Sequence, residues 1–587
     1  MSAHPHHRPD YDDSVFTRNW CVAGLVTSWF VAIGSLLGGG ICLYLQLRDG
    51  NAVYINLSHM WREILPLVLN IFVTLLNDSM GYIHTCSLRW ALQREGKLDF
   101  SSNLRLLTAS RLSRPNGMIA NTLYLIGIIF AYGSTSLIFL SMNPDLARLL
   151  GHGNPDAVDT NQIHINAVAL LMFGLGLFLQ AVITNWALVV TYIPTWSSNP
   201  LDVARACLDK HSGHRIARCE GRCMMSVHQR KDPPGKYRPV RKQKPMLWAH
   251  PRVIRILLLL WALPILSGIW GGGIQAYIMQ GHGKGVLGRS WMPLPVFTGI
   301  TDTNCPLSQC TDGTSVLNVG WSVTNGTAGT LGAVLLINLF QSVVSLALHC
   351  AELIVNLSRD EVIYRELIAH KGTNGHYNSI WAAFTSWQTI TLFAFKAGVH
   401  WMFGLAINLQ FQLGVNMYPP QIFYFAGFSL FAALFGLYLS LRRPDGYLPA
   451  SYGHLQTMVD IIDEWADSGC MFWGHKGDGN PAYAGTSTGW LKIPMEHQEY
   501  GGDPPARHSR QSGYSGTSTE LNTMNPAVQV SPPPQYPFPP HMQQQQFHTH
   551  PQNRPSRQSM NSNYSRYSGY SGQSDESTQP FLRLGGC

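Results

Sequence analysis

Three ionisable residues lie in otherwise apolar stretches and are the chain's main candidates for chemistry: Asp78, Glu352 and Lys396. A charge at membrane depth is costly, so it normally faces protein or water rather than lipid. Each of the three belongs to a polar helix face. Between Leu331 and Asn356, the residues Asn338, Gln341, Ser342, Ser345, His349, Glu352 and Asn356 follow one another at spacings of three and four, which places them on one side of a helix. Asn70, Thr74, Asp78 and Gly81 share a face in the same way, and Lys396, His400, Gly404 and Asn408 recur every fourth residue. Counted from the neighbouring basic loops, Asp78, Glu352 and Lys396 all fall about two turns in, at one level. The expectation is a Glu352–Lys396 ion pair with Asp78 nearby, lining a water-filled vestibule for an ion, a proton or a small polar solute. His349 and His400 would then titrate near neutral pH. The same pattern fits a second reading, in which these groups only hydrogen-bond helices together and Lys396 snorkels to the interface.

Two further constellations are visible. Cys207, His211, His214, Cys219 and Cys223 offer nitrogen and sulfur ligands for one tetrahedral zinc. Their spacing is irregular, however, and Arg215, Arg218 and Arg222 surround them, so a solvated loop with reduced or palmitoylated cysteines is the expectation. His4, His6 and His7 are a weaker set still. Pro533-Pro534-Gln535-Tyr536 sits in a proline-rich tract and has the PPxY form that WW domains bind as a polyproline II helix; a WW-domain ubiquitin ligase is the partner this implies, unless the match is chance. No phosphate-cradling loop, nucleophile elbow or HExxH motif is present, so neither enzyme activity nor a cofactor is expected.

The elements that must hold these residues are long and apolar. Of the 587 residues 45% are hydrophobic and only 13% charged, about half the charge share of a soluble domain. Eight spanning blocks follow: about 20–45, 63–85, 118–141, 165–192, 253–280, 331–357, 389–412 and 421–441, each near the length that crosses a hydrocarbon core. The first follows a polar head, 1–19, and reads as a signal anchor. The net charge of +8 reports topology rather than nucleic-acid binding. Loop 86–117 carries Arg89, Arg94, Lys97, Arg105, Arg111 and Arg114, and loop 193–252 has thirteen Lys and Arg against four acids. Loop 142–164 has only Arg148, beside Asp145, Asp156 and Asp159. By the positive-inside rule both termini are cytoplasmic. Cys305 and Cys310, a candidate disulfide, and the sequons at Asn325 and Asn56 then fall outside, where oxidation and glycosylation occur, whereas the sequon at Asn356 falls inside. Gly34, Gly38, Gly39 and Gly40, and Gly271–Gly273, allow close helix approach.

After Arg443 the chain leaves the membrane. His454–Trp465 reads as an amphipathic helix, with Leu455, Met458, Val459, Ile462 and Trp465 opposite Asp460, Asp463 and Glu464; it either docks on the basic loop or lies solvated at the membrane surface. From about 500 the composition turns to Gly, Ser, Pro, Gln, Tyr and His, with the pentapeptide SGYSG at Ser512–Gly516 and again at Ser568–Gly572, and predicts disorder.

Pro444-Asp-Gly-Tyr-Leu-Pro, Gly453-His-Leu-Gln-Thr, Asp460-Ile-Ile-Asp-Glu-Trp, Phe472-Trp-Gly-His-Lys-Gly and Ala484-Gly-Thr-Ser together resemble a pattern in uncharacterised multi-pass membrane proteins of filamentous fungi. The resemblance covers roughly residues 330–500. It implies a fungal surface-membrane protein and a folded juxtamembrane segment at 444–495, and it carries over no site residue. The expected architecture is an all-α integral membrane protein of about eight helices, at the plasma membrane, with a cytoplasmic juxtamembrane segment (442–499) and a disordered tail (500–587). Its partners would be the lipid bilayer and the WW-domain ligase. Two function classes stay open: transport or a channel through the polar pathway, or a non-catalytic scaffold or sensor presenting the basic loop and tail.

Overall fold

The computed structural model describes residues 13–49, 53–56, 59–141, 162–209, 214–282, 319–321, 326–373, 379–410, 414–466 and 470–502, all within one compact unit, Met1–Pro505. Cys305, Cys310, Asn325, His211, the N-terminal histidines, Pro533, Pro534 and Tyr536 lie outside the described residues.

Among the described residues, eight helices are long and apolar enough to cross a membrane, the layout of a multi-pass membrane protein. In chain order they are α1 (Val15–Asp49), α2 (His59–Arg94), α3 (Met118–Thr135), α4 (Ala167–Val190), α6 (Val253–Tyr277), α7 (Gly326–Tyr364), α9 (Trp387–Ala406) and α10 (Pro419–Leu441). Three short helices, α5 (Pro200–Ala206), α8 (Ser379–Thr385) and α11 (Leu455–Ile461), lie outside them. Large apolar side chains such as Phe30, Leu37, Ile269 and Phe431 are exposed on the flanks of the bundle, a surface that suits lipid and not water. α1 packs on α4 and α4 on α3, while α6 and α9 both pack on α10. α7 lies between these groups, touching α3, α6, α9 and α10, and α2 meets α9. The polar faces therefore meet along the seam formed by α2, α3, α7 and α9.

Two of the expected glycines give close helix approach: a Cβ on Gly39 would meet Leu171 at 2.8 Å, and one on Gly271 would meet Phe423 at 3.0 Å. Gly34, Gly40, Gly272 and Gly273 have open space around them. Two helix backbones approach closely elsewhere, between α3 and α4. There a Cβ on Gly127 would lie 2.8 Å from the Gly176 carbonyl, and one on Gly176 would lie 2.7 Å from the Gly127 carbonyl.

The purely α-helical expectation needs correction at both ends of the bundle. At one end, short segments form two three-stranded antiparallel sheets. In the first, β3 (Gln162–Ile165) lies between β1 (Tyr54–Asn56) and β2 (Phe139–Ser141). In the second, β6 (Gly414–Met417) lies between β4 (Val319–Trp321) and β5 (Ile407–Gln410). Pairing satisfies backbone groups that no longer have helical partners. It also shortens two expected spans: the third stops at Thr135 instead of continuing to 141, and the seventh stops at Ala406. Asn408 accordingly belongs to a strand and leaves the helical face of Lys396 and His400.

At the other end, the two basic loops, the end of α7 and the segment after α10 fold into one cap. Arg89 Nε donates to the Ser101 carbonyl and its Nη1 to that of Ser197. Thr373 pairs with Met471, and Lys242 with Asp445. A hairpin of β7 (Phe472–Gly477) and β8 (Tyr483–Ser487) completes the cap. α11 is shorter than the expected 454–465 helix and has no solvated acidic face. Asp460 is buried, with Arg222 Nε 3.2 Å from its Oδ2 and the Cys219 N–H bonded to its Oδ1. Asp463 accepts from Lys476 and from the Thr486 N–H. Of the two placements left open by the sequence, docking on the basic loop is the one found.

Candidate functional site

Lys396 stands at the centre of the seam. Its Nζ is 2.6 Å from Asp78 Oδ1 on α2 and 2.7 Å from Glu352 Oε1 on α7. The expected pair is thus a triad, with Asp78 a direct partner and not merely a neighbour. Lys396 does not snorkel: only 3% of its side chain is exposed, against 38% for Asp78 and 25% for Glu352. The cluster is closed around the amine and open on its Asp78 flank. An ammonium this deeply buried needs both charge partners and hydrogen bonds, and the two carboxylates supply them.

The other polar residues extend this cluster along the seam. His349 Nδ1 lies 2.7 Å from Glu352 Oε1, as the three-residue spacing on one helix face permits. His400, one turn from Lys396, has its Nδ1 2.9 Å from Gln341 Nε2. The Tyr132 ring stacks on His400 with centroids 4.1 Å apart and planes 8° from parallel. Nearer the sheet end, Thr135 donates to Asn70 Oδ1 at 3.0 Å, and Thr74 donates to the Asn70 carbonyl at 2.7 Å. On the α7 face, Asn338, Gln341, Ser345 and His349 are buried, whereas Ser342 and Asn356 are only half-buried. Asn338 Oδ1, Gln341 Oε1, Ser345 Oγ, His349 Nε2 and His400 Nε2 are buried without a hydrogen-bond partner among the described residues. Buried polar atoms normally have partners; these orphans leave hydrogen-bonding capacity on this face that ordered water can satisfy.

One member could not be singled out from the sequence. Arg105 belongs to the loop after α2, in a single 3-10 turn at Arg105–Leu107. Its guanidinium enters the capped end of the seam, 5.0 Å above the Tyr124 ring, with Nη2 4.0 Å from Glu352 Oε2. In the sequence it is one of six basic residues in its loop. The signals that would have found it, Gly81 on α2 and Tyr124 on α3, are distant in the chain.

The remaining candidates do not join the site. Cys207 is fully buried in the apolar centre of the cap, where burial pushes its thiol up to about 12. The Cys223 thiol is also raised, by burial first. Thiols that resist ionisation are poor metal ligands. His214 packs against Gly96, and Cys219 lies beside Gln456. Among the described residues no group of three His, Cys, Asp or Glu could hold a metal ion. Asn56 is exposed at the end of β1, at the sheet end.

No protein-family model matches the chain, and neither a curated protein nor a solved structure matches it.

Proposed function

We propose that the protein is a transport or channel-like membrane protein whose polar seam carries a proton, an ion or a small polar solute. The observation that carries this reading is the Asp78–Lys396–Glu352 triad, continued by orphaned polar atoms along one line through the bundle. A triad that only held helices together would be expected to be closed on all sides and its neighbours satisfied. Here one carboxylate is more than a third exposed and five neighbouring polar atoms are not satisfied. The cap, built from the basic loops, takes the cytoplasmic side by the positive-inside rule, and the plasma membrane is the proposed location.

A second reading rests on the cap itself. The juxtamembrane segment is an ordered surface joined to the basic loop by Arg222–Asp460, which suits a scaffold or sensor that presents cytoplasmic partners, with the PPxY motif recruiting a WW-domain ligase. The two readings are separated in a strain lacking its own copy, by growth under pH and ion stress. The transport reading expects Glu352→Gln to lose function at normal surface level while a chain lacking 500–587 retains it; the reverse pattern would favour the scaffold.

A further inference from the structure

We propose that Arg105 is the gate at the capped end of the seam, held shut by the strap of chain that carries it. This rests on the reading of the seam as a pathway and adds how its mouth is closed.

Arg105 lies outside the spanning helices, yet only 5% of its side chain is exposed. It fits because Gly81 has no side chain: a Cβ there would fall well inside van der Waals contact with Arg105 Nη1. Its hold is weak for a buried cation. Its charge partner, Glu352, is 4.0 Å away, the Tyr124 ring face lies 5.0 Å from the guanidinium, and Nε and Nη1 have no hydrogen-bond partner among the described residues. Unmet buried donors lower the cost of leaving, so the guanidinium is poised to move.

The strap, by contrast, is well held. Ser101 and Ser102 donate to Asp360 Oδ2 on the part of α7 within the cap, at 2.5 and 3.3 Å. The Ser101 N–H donates to the Gly453 carbonyl and the Leu455 N–H to that of Asp99. The Phe100 ring sits 4.5 Å from the His250 ring and 5.0 Å from the His454 ring. A shift of the Gly453–Leu455 segment relative to α7 would therefore pull the strap, and with it the plug, away from Glu352. The gate links the segment after the last span to the ion triad through one residue.

The test uses the full chain in sealed membrane vesicles whose capped side faces outward. Ser345→Cys, in the buried seam, reports access; a membrane-impermeant cationic methanethiosulfonate is added and its attachment at position 345 is read by peptide mass spectrometry. Arg105→Ala removes the plug, and Gly81→Ala retains the arginine but displaces its tip. Because that tip is the far end of a flexible side chain, Gly81→Ala is expected to fold. Gly34→Ala, which meets nothing within 4 Å, is the control. Both gate variants should raise the labelling rate about tenfold or more, in proportion to the open population, with the control unchanged. Wild-type labelling in well-folded gate variants overturns the proposal. So does failure of both to fold, which would make Arg105 structural filling. Because access is measured without any substrate, a gate that opens in a protein with no stress phenotype would leave this inference standing and sink the transport reading.

Discussion

At the scale of single residues, the triad has redundancy built into it. Lys396 has two carboxylates, so neutralising one leaves the amine paired. Asp78→Asn and Glu352→Gln should each cost about 1 kcal/mol, because each amide keeps an oxygen that accepts from the ammonium. The double variant strands a buried cation and should cost about 3–5 kcal/mol, well beyond the sum. Thermal unfolding of the purified chain in detergent checks this; simple additivity would mean that Lys396 draws little from either partner. These residues were legible in the sequence because a charge in an apolar run with polar neighbours at helical spacing is a rare pattern. Arg105 was not, since its role depends on Gly81, Tyr124 and Glu352, three positions on three other elements. Tyr132, now stacked on His400, carried no mark that separates it from an ordinary core aromatic.

At the scale of elements, the strap and α11 make the cap sensitive to acid. His250 and His454 flank Phe100 in buried positions. Burial, then Arg252 and Arg230, lowers the His250 ring to about 4. Burial, then Arg230 and Arg222, lowers His454 to about 3. His454 also caps α11, its Nδ1 accepting from the Thr457 N–H. Each ring is held neutral in the folded cap but takes a proton near pH 6.5 once unfolded, so the unfolded state binds more protons between those values. The stability these rings allow is complete above about pH 6.5 and is lost progressively as pH falls towards 3–4. Amide protection factors in 98–107 and 450–461, corrected for the intrinsic slowing of exchange at lower pH, should therefore fall from pH 7.5 to pH 5, and His454→Asn should weaken that dependence. An unchanged exchange pattern would show the rings to be irrelevant to cap stability. The sequence carried the amphipathic period of α11 but mistook its acidic side for a wet one. Asp460 and Asp463 face Arg222 and Lys476, which are far away in the chain or on a later strand. Periodicity records which residues share a face and not what that face meets.

At the scale of the whole molecule, alternation of basic and non-basic loops anticipated which loops gather together. The loops 86–117 and 193–252 and the segment after α10 do meet at one end, and the three-stranded sheets occupy the other. The sheets were not legible because each of their strands is only three or four residues long and each sheet draws on two separate loops. The proposed function requires the seam between α2, α3, α7 and α9 to be a pathway and not merely helix-to-helix adhesive. The most direct test is to measure surface abundance together with growth under pH and ion stress for Glu352→Gln, Lys396→Met and the double variant. A pathway predicts that all three reach the surface, that each single variant grows poorly under stress, and that the double variant does not recover. Loss of the single variants from the surface, with the double variant restored in both abundance and growth, would contradict the claim and leave the charges as structural glue.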